Sequence, residues 1–340
     1  MAAHRVALIA PSHWHYPLYR PAFLGADIRI AGVWDPSALL ARQVAAEFDA
    51  PVFATVDELL NRSDAGFAFA FGVHADMPAI AGRLIDRGMP FSIEKPAGLH
   101  GDHIAGIRRA ARRAGVFVSI PFHYRLSALA RALSGTTALP SPDFLHVQCS
   151  VHAGSPLRFA DSSPWLIEPG RAGGGCLMNL GHHPIDLLSW VTGTDVVSVQ
   201  ATLSNKALRL AVEDHALLSL VLADGTVASL ETSYRQPARA ADYMDFHVAL
   251  AHRAFTAKRD GERLAFLDTA SGAARHVDGG WRFKDYFADY VRTTLSRVEA
   301  GAPPVAGLED LERTQRVIDA AYLSARTGRS TVPQRVSSID

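Results

Sequence analysis

The first 120 residues alternate short apolar runs with helical patterns, and this alternation constrains the fold more than any other feature. Continuous apolar or β-branched runs, typical of strands buried on both faces, occur at 6–10, 28–34, 66–71, 91–93 and 116–120. Helical patterns separate these runs, at 37–48, 55–61, 76–87 and 102–114. The order predicts right-handed crossovers and a doubly wound parallel sheet, whose ligands bind beyond the carboxyl ends of its strands.

The pattern changes after Pro121. Alternating apolar and polar residues, typical of antiparallel strands, dominate from Phe144 to about Val277, and Asp224-Gly225 is a two-residue hairpin signal. Helical periodicity then returns in the C-terminal part. We predict an α/β plus α+β protein, with a Rossmann domain over 1–121 and, over 122–340, an α+β domain with an open antiparallel β-sheet. The C-terminal helices have the freedom to pack back on the first domain.

The charge indicates which binding partners to expect, and the cysteine content indicates the redox state of the compartment. Lys+Arg and Asp+Glu both number 34, so nothing in the charge favours nucleic acid or an anionic membrane surface as partner. The two cysteines suit a reducing compartment, and no apolar run reaches the ~18 residues of a transmembrane helix. The first strand lies so close to the N-terminus that no signal peptide is expected, which predicts a cytoplasmic protein.

Two segments about eighty residues apart carry the chemistry. Glu94-Lys95-Pro96 places a lysine just past a strand, on the ligand side of the sheet. The segment 173–186 begins with three glycines and continues with Asn179, His183 and Asp186 at helical spacing. Asn179 and His183 are four residues apart and share a helix face, and Asp186 is spaced to orient either His183 or its neighbour His182. A lysine and a histidine beside a nucleotide site are suited to proton transfer.

These two segments resemble the E-K-P and G-G-G-x-L-x-D-x-G-x-H-x-x-D motifs of the Gfo/Idh/MocA oxidoreductases. The resemblance implies that Lys95 and His183 are catalytic, with His183 taking a proton from a substrate hydroxyl while hydride passes to a nicotinamide. An ordinary histidine pKa suits that task at neutral pH. Asn179 stands where many members have aspartate, so we expect it to hydrogen-bond substrate and to leave proton transfer to the other two.

The predicted nucleotide site has an acid but lacks the family's glycines. Asp35 ends the second strand, where a carboxylate accepts hydrogen bonds from a ribose 2′-OH and repels a 2′-phosphate, so NAD is favoured over NADP. The three positions of G-x-G-x-x-G are Ala10, Ser12 and His15, and His15 is bulky where close packing is expected. We expect Ser12 and His13 to replace some of the main-chain contacts to the cofactor.

The resemblance implies further site residues. The remaining cofactor-binding candidates are Ala10, Gly72, His74, Glu94, Lys95 and Pro96. The substrate-binding candidates are His123, Arg125, Trp165 and Asp186. No metal site is predicted, because His182, His183 and Asp186 would need more ligands.

The leading function is an NAD(P)-dependent oxidoreductase that transfers a hydride to or from a secondary hydroxyl or ketone of a sugar, polyol or related cyclic compound. That substrate class, and a homodimer or homotetramer formed through the open sheet, are implied by the resemblance alone. Two alternatives remain: a hydrolase or isomerase with tightly bound NAD, and a binding or regulatory protein that has lost the cofactor, for which the missing glycines are the evidence.

Overall fold

Five parallel strands form the first sheet, in the spatial order β2-β1-β3-β4-β5. A computed structural model describes residues 3–134, 143–235, 244–260, 263–278, 284 and 286–336. The strands are β1 (His4–Ile9), β2 (Ile28–Trp34), β3 (Phe67–Ala70), β4 (Phe91–Ile93) and β5 (Val118–Ser119). The predicted doubly wound sheet is therefore confirmed, and its order reverses beside β1, where such sheets bind their ligands.

Helices connect these strands where the helical patterns fall. They are α1 (Tyr16–Phe23), α2 (Ala38–Ala46), α3 (Val56–Arg62), α4 (Met77–Asp86) and α5 (Gly101–Ala114). The start of α3 is fixed by Thr55, whose hydroxyl accepts the Glu58 main-chain N–H at 3.0 Å. The end of α5 is fixed by Gly115, which adopts the left-handed conformation with φ of 64°.

The second sheet has eight strands, in the order β13-β12-β11-β10-β6-β9-β8-β7. They are β6 (Phe144–Ala153), β7 (Val196–Ser204), β8 (His215–Leu222), β9 (Val227–Ser233), β10 (Met244–His252), β11 (Phe255–Asp260), β12 (Arg263–Asp268) and β13 (Ala274–Asp278). The predicted sheet is present, but it is mixed, because β6 and β9 run parallel. Parallel neighbours need a long crossover, which the segment between them supplies. Alternation along a strand does not reveal the direction of its neighbour.

The remaining helices join the two sheets. They are α6 (Ala128–Ser134), α7 (Pro169–Ala172), α8 (Cys176–Leu180), α9 (His182–Thr192), α10 (Tyr286–Glu299) and α11 (Leu308–Thr327). The C-terminal helices pack back on the first sheet's layer, with α10 against α1, and α11 against both α5 and β7. In the described ranges, no helix is long and apolar enough to cross a membrane.

A buried aromatic layer lies between the first sheet, α1 and α10. The Tyr19 ring meets those of Phe71 and Phe287 edge-on, with centroids 5.1 and 4.8 Å apart. Phe23 packs on Phe69 in the same way, at 5.1 Å. This layer places Tyr19 directly beneath the carboxyl end of β4, where the glutamate and lysine of the E-K-P segment lie.

Candidate active site and nucleotide pocket

A pocket of about 410 Å³ opens at the carboxyl ends of β1, β2 and β3. It is bounded by the turn after β1, the end of β2, the start of α3 and the first turns of α4. Its lining residues are Ala10, Ser12, His13, Trp34, Pro36, Ala54, Thr55, Val56, Asp57, Gly72, Val73, Asp76, Ala79, Ile80, Arg83 and Trp165. The position is the one at which doubly wound sheets bind nucleotides, and the volume lies in the range of ligand pockets.

The turn after β1 keeps a glycine-like backbone without glycine. Ala10 adopts a left-handed φ of 54°, a conformation that favours glycine over residues with a Cβ. The main-chain N–H of Ser12 donates to Asp35 Oδ2 at 2.7 Å, and that of Ser37 donates to Oδ1 at 2.8 Å. Each carboxylate oxygen accepts more than one hydrogen bond, so these contacts leave acceptor capacity at Asp35. Asp35 thereby ties the altered turn to the end of β2.

His15 occupies the position where close packing was expected, and its ring faces Glu94. Nδ1 of His15 lies 3.0 Å from Glu94 Oε2, and both side chains are buried. The Tyr19 hydroxyl donates to Glu94 Oε1 at 2.5 Å. Burial lowers the pKa of His15 well below its ordinary value, so the ring is neutral. Sequence reasoning treated His15 as an obstacle and missed its proximity to Glu94.

Lys95 is buried and bonded to the second motif. Its Nζ donates to the Asn179 main-chain oxygen at 2.6 Å and to Asn179 Oδ1 at 3.2 Å. Burial lowers the pKa of Lys95 to about 8, and the Glu94 carboxylate opposes that shift. An amine that titrates near neutrality is suited to holding or relaying a proton. The structure therefore brings Lys95 and Asn179 together across about eighty residues of chain.

His183 lies in the same buried cluster. Its ring centroid is 4.7 Å from that of His123, and both side chains are buried. Burial, reinforced by the neighbouring His123 and Lys95, lowers the pKa of His183 well below 6.5. The expectation of an ordinary pKa is therefore wrong: His183 is neutral at neutral pH, which suits a hydrogen-bond acceptor. Of the two predicted proton-transfer residues, Lys95 is the one whose pKa is lowered to a value near neutrality, about 8.

Two of the three glycines of the second motif, Gly174 and Gly175, serve close packing. A Cβ on Gly174 would lie 1.8 Å from the Tyr322 hydroxyl oxygen, and one on Gly175 would lie 1.9 Å from the Glu213 carbonyl oxygen. The Glu213 carboxylate accepts the main-chain N–H groups of Gly175 and Leu177, each at 2.9 Å. This capping holds the start of α8, and so positions Asn179.

The predicted single helix over this motif is two helices. Pro184 lacks the N–H that would donate to the Leu180 carbonyl, and its ring crowds that carbonyl. The helix therefore ends at Leu180 and restarts at His182, with Pro184 in its first turn. Asn179 and His183 nevertheless both lie in the buried cluster around Lys95.

Asp186 does not orient a histidine, which corrects its predicted role. Its carboxylate accepts Arg125 Nη2 at 2.6 Å and Arg125 Nε at 3.0 Å. Arg125 also lies 2.9 Å from Asp310, so its guanidinium is engaged between two carboxylates. Burial raises the pKa of Asp186 to about 7, while Arg125 opposes the rise. We assign Arg125 and Asp186 to an ion pair that fastens α9 to the segment after β5, and their role in substrate binding stays a prediction.

The His182 ring bonds to the main chain of its own motif and to α11. Its Nδ1 lies 2.8 Å from the Met178 carbonyl and its Nε2 lies 2.8 Å from Gln315 Oε1 on α11. It therefore fastens α9 to α11. Across the described part of the chain, no three His, Cys, Asp or Glu side chains are arranged to hold a metal ion.

Gly72 and Trp165 line the pocket, and His74 packs against Trp165 without lining it. Gly72 has φ of 127°, which only glycine adopts readily. His74 is buried, and its Nδ1 donates to the Ala172 carbonyl at 2.8 Å. The His74 and Trp165 rings meet edge-on, 4.6 Å apart. Trp165 thus forms part of the pocket wall, held by its contact with the His74 ring.

A second, much smaller cavity lies beside Asn179, between the turn after β1 and the second sheet. It has a volume of about 10 Å³, about the size of a single water-sized probe. Its walls include Trp14, Phe159 and Tyr234, which the sequence analysis did not single out. Trp14 belongs to the turn that lacks the family's glycines, and only that departure from the motif could have indicated Trp14 from sequence. Tyr234 follows β9 and carries no motif.

Comparison with known proteins was made on sequence and on structure. Residues 143–251 match the family model of the GFO/IDH/MocA C-terminal domain. No curated protein sequence matches the chain.

Solved oxidoreductase structures share the fold over nearly the whole chain. An oxidoreductase domain protein from Kribbella flavida has a TM-score of 0.85 at 18% identity, covering 98% of this chain and 100% of its own. An oxidoreductase from Agrobacterium radiobacter, in complex with NAD+, L-tartaric acid and magnesium, has a TM-score of 0.85 at 16% identity, covering 97% and 98%. A levoglucosan dehydrogenase, in complex with NADH and levoglucosan, has a TM-score of 0.85 at 15% identity, covering 98% and 100%.

The fold is a five-stranded parallel sheet joined to a large mixed sheet, and these solved oxidoreductase structures share it. The match of residues 143–251 to the GFO/IDH/MocA C-terminal domain agrees with that fold. The predicted resemblance to the Gfo/Idh/MocA oxidoreductases is confirmed.

Proposed function

We propose that this protein is an NAD-dependent oxidoreductase that transfers a hydride to or from a secondary hydroxyl or ketone of a sugar, polyol or related cyclic compound. The observation that carries the proposal is the buried contact between Lys95 and Asn179, with His183 in the same cluster, next to a pocket at the carboxyl ends of the strands. The NAD+ and NADH complexes of the structural relatives support the choice of cofactor, and levoglucosan supports the substrate class.

The residues of the pocket fit a dinucleotide. The walls at Trp34, Val56 and Ile80 are suited to a base, and the turn at Ser12 and His13 lies where such folds hold a diphosphate. The remaining acceptor capacity of Asp35 favours a ribose with a free 2′-hydroxyl, and thus NAD. When bound, the nicotinamide would supply the hydride acceptor or donor.

The roles of the protein groups follow from their ionisation. Lys95, with a pKa of about 8, donates hydrogen bonds and exchanges its proton near neutral pH. Neutral His183 accepts a hydrogen bond from a substrate hydroxyl. Asn179 cannot act as a base, and it holds the Lys95 ammonium through its two oxygens.

One observation favours a second candidate, a binding protein that has lost the reaction. The cavity beside Asn179 holds only about 10 Å³, and Trp14 and Phe159 form part of its walls. An oxidoreductase must open this cavity when it binds substrate. A binding protein that uses the larger pocket alone would not.

Thermal unfolding tests the proposal. The melting temperature of the purified protein is measured without ligand, with NAD and with NADP. A ligand at 100 times its dissociation constant adds about 2.7 kcal/mol to the free energy of unfolding. We expect a clear rise in Tm with NAD and a smaller one with NADP. Absence of any rise, in protein first shown to carry no bound nucleotide, would contradict the proposal.

We further propose a homodimer or homotetramer in which a second copy covers the outer face of the second sheet. This face exposes Leu217, Val221 and Val227, whose exposed fractions are 50%, 38% and 46%. Val221 and Val227 are register partners on adjacent strands, and Leu217 lies on the same face of β8. Light scattering should give a mass of two or four chains, and Leu217→Lys should lower it. A monomeric wild-type protein would contradict this proposal.

A further inference from the structure

His13 forms part of the wall of the nucleotide pocket, at the turn after β1. Its ring packs against Trp165 and Trp14, with centroids 5.6 and 5.8 Å apart, and against Phe71 at 6.4 Å. The side chain is only 3% exposed, yet it lines the pocket. Three aromatic neighbours therefore fix the orientation of the ring.

The tautomer of His13 is fixed by the main chain two residues ahead. The N–H of His15 donates to His13 Nδ1 at 3.1 Å. An accepting Nδ1 has a free lone pair, so the proton of the neutral ring sits on Nε2. Burial lowers the pKa of His13 well below its ordinary value, which keeps the ring in that neutral form.

The Nε2–H of His13 is a buried donor without an acceptor among the described residues. A buried, unsatisfied donor costs about 1–3 kcal/mol of stability, and such groups are rare in folded proteins. A donor of this kind in the wall of a ligand pocket is explained when the ligand brings the acceptor.

Most main-chain donors of the turn are, in contrast, already engaged. Ser12 N–H donates to Asp35, His13 N–H to the Ala10 carbonyl at 3.3 Å, and Tyr16 N–H to the His13 carbonyl at 2.9 Å. In a glycine-rich turn, main-chain N–H groups of this kind face the diphosphate. With these N–H groups engaged, a side-chain donor is available to supply that contact.

We propose that the Nε2–H of His13 is the donor that binds the diphosphate of the dinucleotide, in place of the glycine-turn N–H groups. This inference rests on the proposed function, because it requires a dinucleotide in this pocket. It adds a specific mode of recognition: a neutral imidazole, held as a donor by the His15 N–H, contacts an anion without contributing charge.

Three ligands distinguish binding of the adenosine, of the diphosphate and of the nicotinamide half. Titration calorimetry with adenosine, ADP and NAD is carried out on wild type, His13→Phe and Trp14→Phe. Phenylalanine preserves the packing of His13 and removes its donor. Trp14→Phe is the matched control, because it removes the adjacent buried indole N–H, which has no acceptor in the described part of the structure and belongs to the small second cavity.

We expect His13→Phe to weaken ADP and NAD binding about tenfold or more, and to leave adenosine binding unchanged. Trp14→Phe should leave the ADP-to-adenosine affinity ratio unchanged. If His13→Phe binds ADP and NAD as wild type does, the inference fails while the proposed function stands. If it loses NAD affinity but keeps ADP affinity, the donor faces the nicotinamide half and the inference is wrong. Wild type that binds none of the three ligands would overturn both proposals.

The pH dependence of NAD binding provides an independent readout. The NAD diphosphate keeps a constant charge near neutrality, and a neutral donor keeps its proton there. The affinity ratio of wild type to His13→Phe should therefore be constant between about pH 6 and 8. A ratio that grows as the pH falls would identify an imidazolium and contradict the fixed neutral tautomer.

Discussion

Nζ of Lys95 donates to both oxygens of Asn179, the main-chain oxygen at 2.6 Å and the amide oxygen at 3.2 Å. The contact joins the end of β4 to the end of α8, and so joins the two sheets at the candidate site. Because Lys95 is buried, the amine is held at a pKa of about 8 between two neutral acceptors. Substitutions at Lys95 and Asn179 therefore test the proposed role of this contact most directly.

Lys95→Met should abolish turnover and increase stability at neutral pH. Below pH 8, Lys95 is protonated in both the folded and the unfolded state, and burial of its charge disfavours the folded state by about 3 kcal/mol, given the shift from 10.5 to about 8. Between pH 8 and 10.5 the unfolded state binds more protons, so the wild type gains stability as the pH rises. Urea unfolding of both proteins from pH 7 to 10 should show that the wild type's free energy of unfolding approaches the variant's higher value as the pH rises. An advantage that is absent at pH 7 would contradict this account.

Asn179→Asp should raise the pKa of Lys95. A carboxylate in place of the amide would lie about 3.2 Å from Nζ and would stabilise the ammonium form, by one pKa unit or more. The limb of the pH–rate profile that reports Lys95 should move to higher pH. Asn179→Leu, which brings no charge, is the control and should not move it upward. An unshifted limb in Asn179→Asp would show that Lys95 does not set it.

His15→Gly restores the glycine of the family motif, but we expect it to harm the protein. The substitution leaves a cavity between α1 and α10, removes the neighbour of Glu94 Oε2 and adds chain entropy to the unfolded state. The free energy of unfolding should fall by about 2 kcal/mol or more, without tighter NAD binding. Urea unfolding and NAD titration check both expectations. Unchanged stability together with tighter binding would mean that His15 merely obstructs the site.

Asp186→Asn should destabilise the protein without changing the pH dependence of its reaction. It leaves the buried Arg125 with Asp310 alone, and removing one partner of a buried ion pair costs about 3 kcal/mol. Asp310→Asn is the matched control, with a smaller loss expected because the Asp310 side chain is 23% exposed against 4% for Asp186. A shifted pH–rate profile in Asp186→Asn would indicate that Asp186 acts through His183 after all.

Much of the first sheet was predictable because buried parallel strands leave uninterrupted apolar runs. The runs at 28–34 and 91–93 match β2 and β4 in both bounds. Helix ends were predictable where a side chain or a glycine fixes them, as at Thr55 and Gly115. In each case the signal is local in sequence.

The pairings across the chain were not predictable in the same way. Helical spacing places Asp186 within reach of two histidines, but it contains no information about Arg125, which is 61 residues away and takes both carboxylate oxygens. The direction of the His15 ring and the parallel pairing of β6 with β9 likewise depend on distant elements. Burial also changes ionisation, so the ordinary pKa expected for His183 failed for a reason that only the tertiary structure contains.

The most direct test of the central claim is the appearance of reduced nicotinamide when the protein is mixed with NAD and a panel of sugars and polyols. Wild type and Lys95→Met are compared after titration has shown that both bind NAD. The account predicts absorbance of NADH with at least one compound for wild type, and none for Lys95→Met. Equal rates in the two proteins, or no reduction by a wild type that binds NAD across a broad panel, would contradict it.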